Sequence, residues 1–240
     1  MTSTPAGTAV GPLLPAGCPL IVGIVNITAD SFSDGGRYLD PATAIAHARR
    51  LRADGADIIE LGPAASHPDS VPVTAAEEQR RLAPVLGQLA ADGIPVAVDS
   101  FRPATQRFAI SAGTACVNDI QGFSVPGMYP VLAASRCRLI VMHCMQPSGP
   151  ATRVVTDPAT VWAGISRFFS RRLAALQAAG IGRDRLIIDP GLGYFLGSTP
   201  ETSLAALAGI RELKDNFGIP ILVSPSRKIL LSGAAGMWPS

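Results

Sequence analysis

The sequence predicts an α/β domain on a parallel sheet, with an eight-stranded barrel favoured over a doubly wound sheet. Three observations predict it. Seven short apolar runs recur along the chain at regular spacing. Segments of helical periodicity fill most of the intervals, which is the βαβα repetition of a parallel sheet. No GxGxxG turn follows the first run, as it would where a doubly wound sheet opens on a dinucleotide.

The runs are 20–26 LIVGIVN, 56–62 ADIIELG, 94–100 IPVAVDS, 114–119 TACVND, 138–144 RLIVMHC, 185–191 RLIIDPG and 219–226 IPILVSPS. Each is unbroken rather than alternating, as befits a strand covered on both faces. Between them, Ile45, Ala46, Ala48 and Leu51 share one side of a helix over 41–54, with Asp40 as N-cap and Pro41 at its first position. Thr74 and Glu77 read as a capping box opening a helix over 75–91. Helices are also predicted over 159–180 and 200–216, the second starting from Thr199 and Pro200. The phrases ADGAD (53–57) and ADGIP (91–95) each end a helix at a glycine and enter a strand.

Composition bounds the function. The chain of 240 residues suits one large α/β domain or two small ones, and 48% hydrophobic residues build a large core. A net charge of +2, with 16% of residues charged, argues against a nucleic acid or membrane-surface partner. Cys18, Cys116, Cys137 and Cys144 form no CxxC pair and no metal-spaced cluster, so reduced core cysteines in a cytoplasmic protein are expected. Residues 1–17 lack the basic start and apolar centre of a signal peptide and read as a flexible tail before one domain over 18–240. No apolar run approaches the ~20 residues of a membrane span.

The run ends carry the chemistry. They supply Asn26; Gly62 leading to Ser66 and His67; Asp99 and Ser100; Asn118 and Asp119; His143; Asp189; and Ser226, Arg227 and Lys228. In a parallel barrel these ends share one rim, where such enzymes place their sites. Singly, an Asp or Asn after a strand reads as a cap or turn former, and His143 as a satisfied core or rim histidine. Together, Asp99, Asn118, Asp189 and Lys228 end different strands, and capping does not explain a lysine. Carboxylates and an amide recognise a guanidine-like edge, and a lysine donates to a ring carbonyl. The set suits a flat, polar, nitrogen-rich ring.

The motifs NITADSFSDGG (26–36), VDS (98–100), NDIQG (118–122), MH (142–143), DPGLG (189–193) and SRK (226–228) occur in order. Together they resemble dihydropteroate synthase from about residue 20 to 233. The resemblance implies a TIM barrel that joins (7,8-dihydropterin-6-yl)methyl diphosphate to 4-aminobenzoate in folate biosynthesis. It implies that Asp99, Asn118, Asp189 and Lys228 hold the pterin, with Asp99, Asp189 and Lys228 acting in catalysis. Asn26 would bind Mg²⁺ and the diphosphate, and the loop 28–36, with Thr28, Ser31 and Phe32, would close over the site. Ser66, His67, Ser226 and Arg227 would complete the substrate contacts, and a homodimer is implied.

Three features depart from the ordinary family pattern. LGPAASHPD (61–69) stands where members carry a stretch like GGESTRPG, with His67 in the arginine's place. YFLG (194–197) follows DPGLG where many members have a lysine. Both changes resemble the mobile sulfonamide-resistant branch, so a pocket that admits 4-aminobenzoate and rejects sulfonamides is expected. Third, the family's eighth strand ends in Arg-x-His, and this chain has no arginine after Arg227 and no histidine after His143. About 30 to 40 residues of βα unit are therefore expected to be missing, by the usual size of such a unit. Open strand edges, weak activity and aggregation follow from that expectation. The same barrel leaves two alternatives open: a methyltransferase acting on methyltetrahydrofolate, and a pterin-binding paralogue without catalysis.

Overall fold

The computed structural model describes residues 19–28, 40–146 and 148–225. Six strands alternate with helices: β1 (Val22–Asn26), α1 (Pro41–Ala53), β2 (Ile58–Gly62), α2 (Ala75–Ala91), β3 (Val96–Asp99), α3 (Pro103–Ser111), β4 (Cys116–Asp119), α4 (Tyr129–Ala134), β5 (Arg138–Met142), α5 (Pro158–Ala178), β6 (Leu186–Asp189), α6 (Pro200–Ala208) and α7 (Ile210–Phe217). All strand pairs are parallel, and the order in the sheet is the order in the chain, β1 through β6. A doubly wound sheet reverses its order midway. Unbroken sequential winding is that of a TIM-type barrel and settles the choice the sequence left open.

The seventh run keeps this order but not its predicted length. It lies beside β6 through one parallel bridge, Ile188 to Ile221. Ile188 N–H donates to the Pro220 carbonyl (2.9 Å) and Leu222 N–H to the Ile188 carbonyl (2.9 Å).

Side chains alternate between two faces along each strand. On the outer face Val25, Ile59, Leu61, Val96 and Val98 pack on α1–α3, while Val117, Leu139, Val141, Leu186 and Ile188 pack on α4–α7. On the inner face Ile58, Ala97, Cys116, Ile140 and Ile187 form an apolar floor, closed by Leu20 and Leu222. Above that floor the same face carries Glu60, Asp99, Asn118 and Asp189. The sheet is thus dry at the bottom and polar at the rim.

Local signals place most of the helices. Asp40 accepts from Thr43 N–H at 2.9 Å and caps α1. Thr74 Oγ1 accepts from Glu77 N–H at 3.2 Å, forming one half of the capping box. The Glu77 carboxylate turns instead to Arg80 and Arg81. Gly55 and Gly93 end their helices with positive φ, as the paired phrases predict. Helices α3 and α4 were not predicted, and 200–216 is two helices rather than one.

The break between α6 and α7 has a packing cause. The Trp162 ring of α5 lies against Gly209, where a Cβ would meet ring carbons at 2.4 Å. Gly209→Ala must push the indole aside, and a loss of about 1–3 kcal/mol is expected, by the usual cost of overpacking. Urea unfolding checks this; an unchanged midpoint would mean that the ring shifts freely.

Candidate active site

Two-residue alternation sorts the polar strand ends into two groups. Asn26, Asp99, Asn118 and Asp189 stand an even number of positions from inner-face residues of their own strands, so they face the interior. Ser100, Asp119 and His143 stand two positions after the outer-face residues Val98, Val117 and Val141 and face the helices. The register brings Asp99 beside Asn118, and Asp189 beside Met142. Ser66 and Asp99 line one cleft together with Phe101 and Ile120.

The outward group is structural. Ser100 Oγ donates to Glu78 Oε2 (2.7 Å), a carboxylate buried on α2 that also takes Arg102 Nε (3.1 Å). Asp119 accepts from Gln121 N–H (2.7 Å), Phe123 N–H (3.1 Å) and Gln106 Nε2 (2.8 Å). It ties the loop after β4 to α3, and burial raises its carboxyl pKa.

His143 packs edge-on to Phe168 at 5.2 Å. Its Nδ1 lies 3.1 Å from the Pro190 carbonyl, which can only accept, so Nδ1 carries the proton. Burial holds this imidazole down at about 4. An unfolded histidine titrates near ~6.5, so the unfolded chain binds a proton that the folded chain refuses. The contribution is complete above about pH 6.5 and is lost as pH falls toward 4. Between pH 7.5 and 4.5 the wild type is expected to lose about 1–3 kcal/mol more than His143→Gln, measured by urea midpoints. The opposite drift from Asp119 is common to both proteins and cancels in the difference. Parallel curves would show that His143 titrates normally.

The inward group faces a different environment. Asp189 Oδ1 accepts from Gly191 N–H at 2.7 Å, and its carbonyl accepts from His143 N–H at 2.8 Å. Asn118 Nδ2 donates to Glu60 Oε2 at 3.0 Å. Asn118 Oδ1 is buried and has no hydrogen-bond partner among the described residues. A buried carbonyl in that state costs ~1–3 kcal/mol, which a ligand N–H would recover.

Three loops are joined above this rim. Ala151 N–H donates to the Ser66 carbonyl (2.9 Å), and Gln146 Nε2 to the Tyr194 carbonyl (3.0 Å). Arg153 makes a two-pronged ion pair with Asp69 and places its guanidinium 5.7 Å from the Tyr194 ring centre. His67 Nδ1 accepts from Asp69 N–H at 3.1 Å, so the imidazole braces its own loop.

The Pterin binding enzyme family matches residues 22–236. Dihydropteroate synthase type-2 of Escherichia coli is 54% identical over 220 residues, spanning 92% of this chain and 81% of that protein. This chain belongs to the dihydropteroate synthase family. Among solved structures, the Xanthomonas albilineans dihydropteroate synthase with 4-aminobenzoic acid superposes with TM-score 0.80 at 36% identity, covering 93% of this chain and 78% of that one. The Yersinia pestis dihydropteroate synthase with a sulfonamide drug gives 0.83 at 31% identity, covering 93% and 80%. The relatives favour the synthase over the methyltransferase alternative.

Of the residues predicted for a dihydropteroate synthase site, the fold brings Asp99, Asn118, Asp189 and Asn26 to one inner rim, with Ser66 beside Asp99. Thr28 is buried, its hydroxyl has no partner among the described residues, and it lines a neighbouring cavity of about 340 Å³ with Ala65, Val73 and Arg81. Ser31, Phe32, Ser226, Arg227 and Lys228 lie outside the described residues, as do Cys18 and the rest of the loop through Gly36. Sequence reasoning missed Glu60. An acid inside the apolar run IIELG was the available signal, because a carboxylate in a doubly covered strand needs a partner.

Proposed function

We propose that this chain condenses (7,8-dihydropterin-6-yl)methyl diphosphate with 4-aminobenzoate, releasing diphosphate, at the inner rim of Asp99, Asn118 and Asp189. One observation carries the reading: three hydrogen-bonding side chains from three strands stand above an apolar floor, and one of their acceptors is buried without a partner among the described residues. Asp99 and Asp189 accept N–H groups of the pterin, and Asn118 presents its carbonyl oxygen as a further acceptor. As diphosphate leaves, positive charge spreads from the methylene carbon into the ring, and the two fixed carboxylates stabilise it. Lys228 would donate to the ring carbonyl. The amine of 4-aminobenzoate then attacks the methylene carbon and loses a proton.

The reaction needs no enzyme nucleophile. Burial pushes the Cys144 thiol up to about 11 and Cys116 to about 12, so both stay protonated at neutral pH.

The residues present fit Mg²⁺ as an ion that arrives with the diphosphate. No group of three or more His, Cys, Asp or Glu could hold a metal among the described residues. Asn26 offers a carboxamide oxygen at the end of β1, lying across Gly62, where a Cβ would meet it at 2.9 Å. Magnesium takes few protein oxygens and completes its shell with water and substrate phosphate. Bound there, it would neutralise charge on the leaving diphosphate.

The reading extends to sulfonamide resistance. The two segments that depart from the family pattern, 61–69 and 194–197, meet through Arg153, which pairs with Asp69 and lies over Tyr194. A clamp of this kind holds the 4-aminobenzoate end of the site in one shape, and rejection of a bulkier analogue is a matter of shape. Arg153→Ala is expected to tighten sulfonamide inhibition by about 3- to 10-fold, within the range one packing contact gives. Pterin affinity should not change; an unchanged inhibition constant would remove Arg153 from the device. The family resemblance suggests a homodimer, which sedimentation would test, and free Cys116, Cys137 and Cys144 suit a reducing compartment such as the cytoplasm. Among the described residues no helix is long and apolar enough to cross a membrane.

The direct test of the reaction is dihydropteroate formation, followed by mass spectrometry with Mg²⁺ and both substrates. Product that requires 4-aminobenzoate supports the synthase. Pterin binding without product would instead support the non-catalytic paralogue.

A further inference from the structure

Glu60 is a buried inner-face acid that the reaction above does not use. It sits mid-strand on the inner face of β2, in register with Ile24 on β1 and Ala97 on β3, and is 8% exposed. Its Oε2 accepts from Nδ2 of Asn118 on β4 at 3.0 Å. Glu60 and Asn118 therefore meet across β3, two strand spacings apart or about 9–10 Å along the sheet. Glu60 is level with Ala97 and Asn118 with Asp99, so the two side chains reach each other diagonally across the inner face of β3.

The contact fixes what Asn118 offers. The Asn118 amide nitrogen, which only donates, lies against the Glu60 oxygen. The amide cannot turn over without setting oxygen against oxygen. Its carbonyl is then presented, buried and without a partner among the described residues, as an acceptor for a ligand N–H.

We propose that Glu60 is a positioning residue for pterin binding, acting through Asn118 by locking the orientation of its amide. This rests on the pterin site proposed above. The selected ligand edge carries an N–H opposite the Asn118 carbonyl, and an isostere with only a lone pair there is disfavoured. Glu60 touches no reacting atom in this account. Its effect falls on pterin affinity and leaves the KM for 4-aminobenzoate alone.

The experiment is calorimetric binding of the dihydropterin diphosphate to the full chain and to Asn118→Ala, Glu60→Met, Glu60→Asp, Glu60→Gln and the double variant Glu60→Met/Asn118→Ala. Asn118→Ala is expected to weaken binding about 10- to 100-fold, the range for one or two hydrogen bonds. Glu60→Met keeps the volume without an acceptor, and Glu60→Asp keeps the charge but falls short. Each should weaken binding about 10-fold. Glu60→Gln keeps an oxygen within reach and should stay within about 3-fold of wild type. The double variant should be no weaker than Asn118→Ala alone. Should Glu60→Met fail to fold, Glu60→Asp carries the test. Wild-type affinity in Glu60→Met or Glu60→Asp, no recovery in Glu60→Gln, or additive losses in the double variant would overturn the proposal. An Asn118→Ala variant that binds normally would overturn the pterin site itself, a different failure.

Discussion

Asp189→Asn is expected to lower kcat/KM for the dihydropterin diphosphate by about 10²- to 10³-fold, the cost of removing one charged partner from a buried hydrogen-bonded pair. The substitution is nearly isosteric. The amide oxygen can still accept from Gly191 N–H, now made at 2.7 Å, so the turn after β6 keeps its internal bond. What disappears is the negative charge and the second carboxylate oxygen, the one beyond that bonded to Gly191 N–H. Both the two-pronged contact and the stabilisation of developing positive charge depend on them. Steady-state diphosphate release, with thermal unfolding alongside, separates the effects. Lost turnover with an unchanged melting temperature supports the assignment. A loss below 10-fold would mean that Asp189 serves the turn alone.

Gly191→Ala is expected to damage fold and site together. Gly191 has a φ of +74°, and a Cβ there would meet the His143 carbonyl oxygen at 2.3 Å. Neither side can yield easily, because His143 N–H is bonded to the Asp189 carbonyl at 2.8 Å. The methyl group must open the contact between β5 and β6 that aims Asp189 inward. Left-handed strain and a backbone clash together suggest a loss of about 2–4 kcal/mol, or roughly 5–15 °C in melting temperature for a domain of this size. Gly93→Ala is the control, since Gly93 has a φ of +68° but nothing within 4 Å of its Cβ position. That variant should lose only about 1 kcal/mol. Equal losses at the two sites would show that strain alone, without the clash, explains Gly191.

Much of this arrangement was legible in the sequence because its causes are local. Caps at Asp40 and Thr74, the glycines ending α1 and α2, and unbroken apolar runs each depend on residues a few positions apart. The strand-end residues Asp99, Asn118 and Asp189 were legible because parallel winding alone puts such ends on one rim. The direction of each side chain was not. A strand covered on both faces has no polar alternation to reveal which face is inner. Asn118 and its neighbour Asp119 look alike in the sequence, yet one faces the ligand rim and the other closes a loop onto α3. Glu60 was hidden for a related reason, since its partner lies 58 positions away. The division of 200–216 into α6 and α7 depends on Trp162, a contact made only after α5 has packed. The run ends also supplied Asn26 and Lys228, and only the family resemblance suggested a metal-binding role for Asn26.

The most direct measurement is diphosphate release by the purified chain with Mg²⁺ and the dihydropterin diphosphate, with and without 4-aminobenzoate and sulfamethoxazole. The predicted result is release that depends on 4-aminobenzoate and persists when the drug equals it in concentration. Release indifferent to 4-aminobenzoate, or no release at all, would contradict the transferase assigned to this rim.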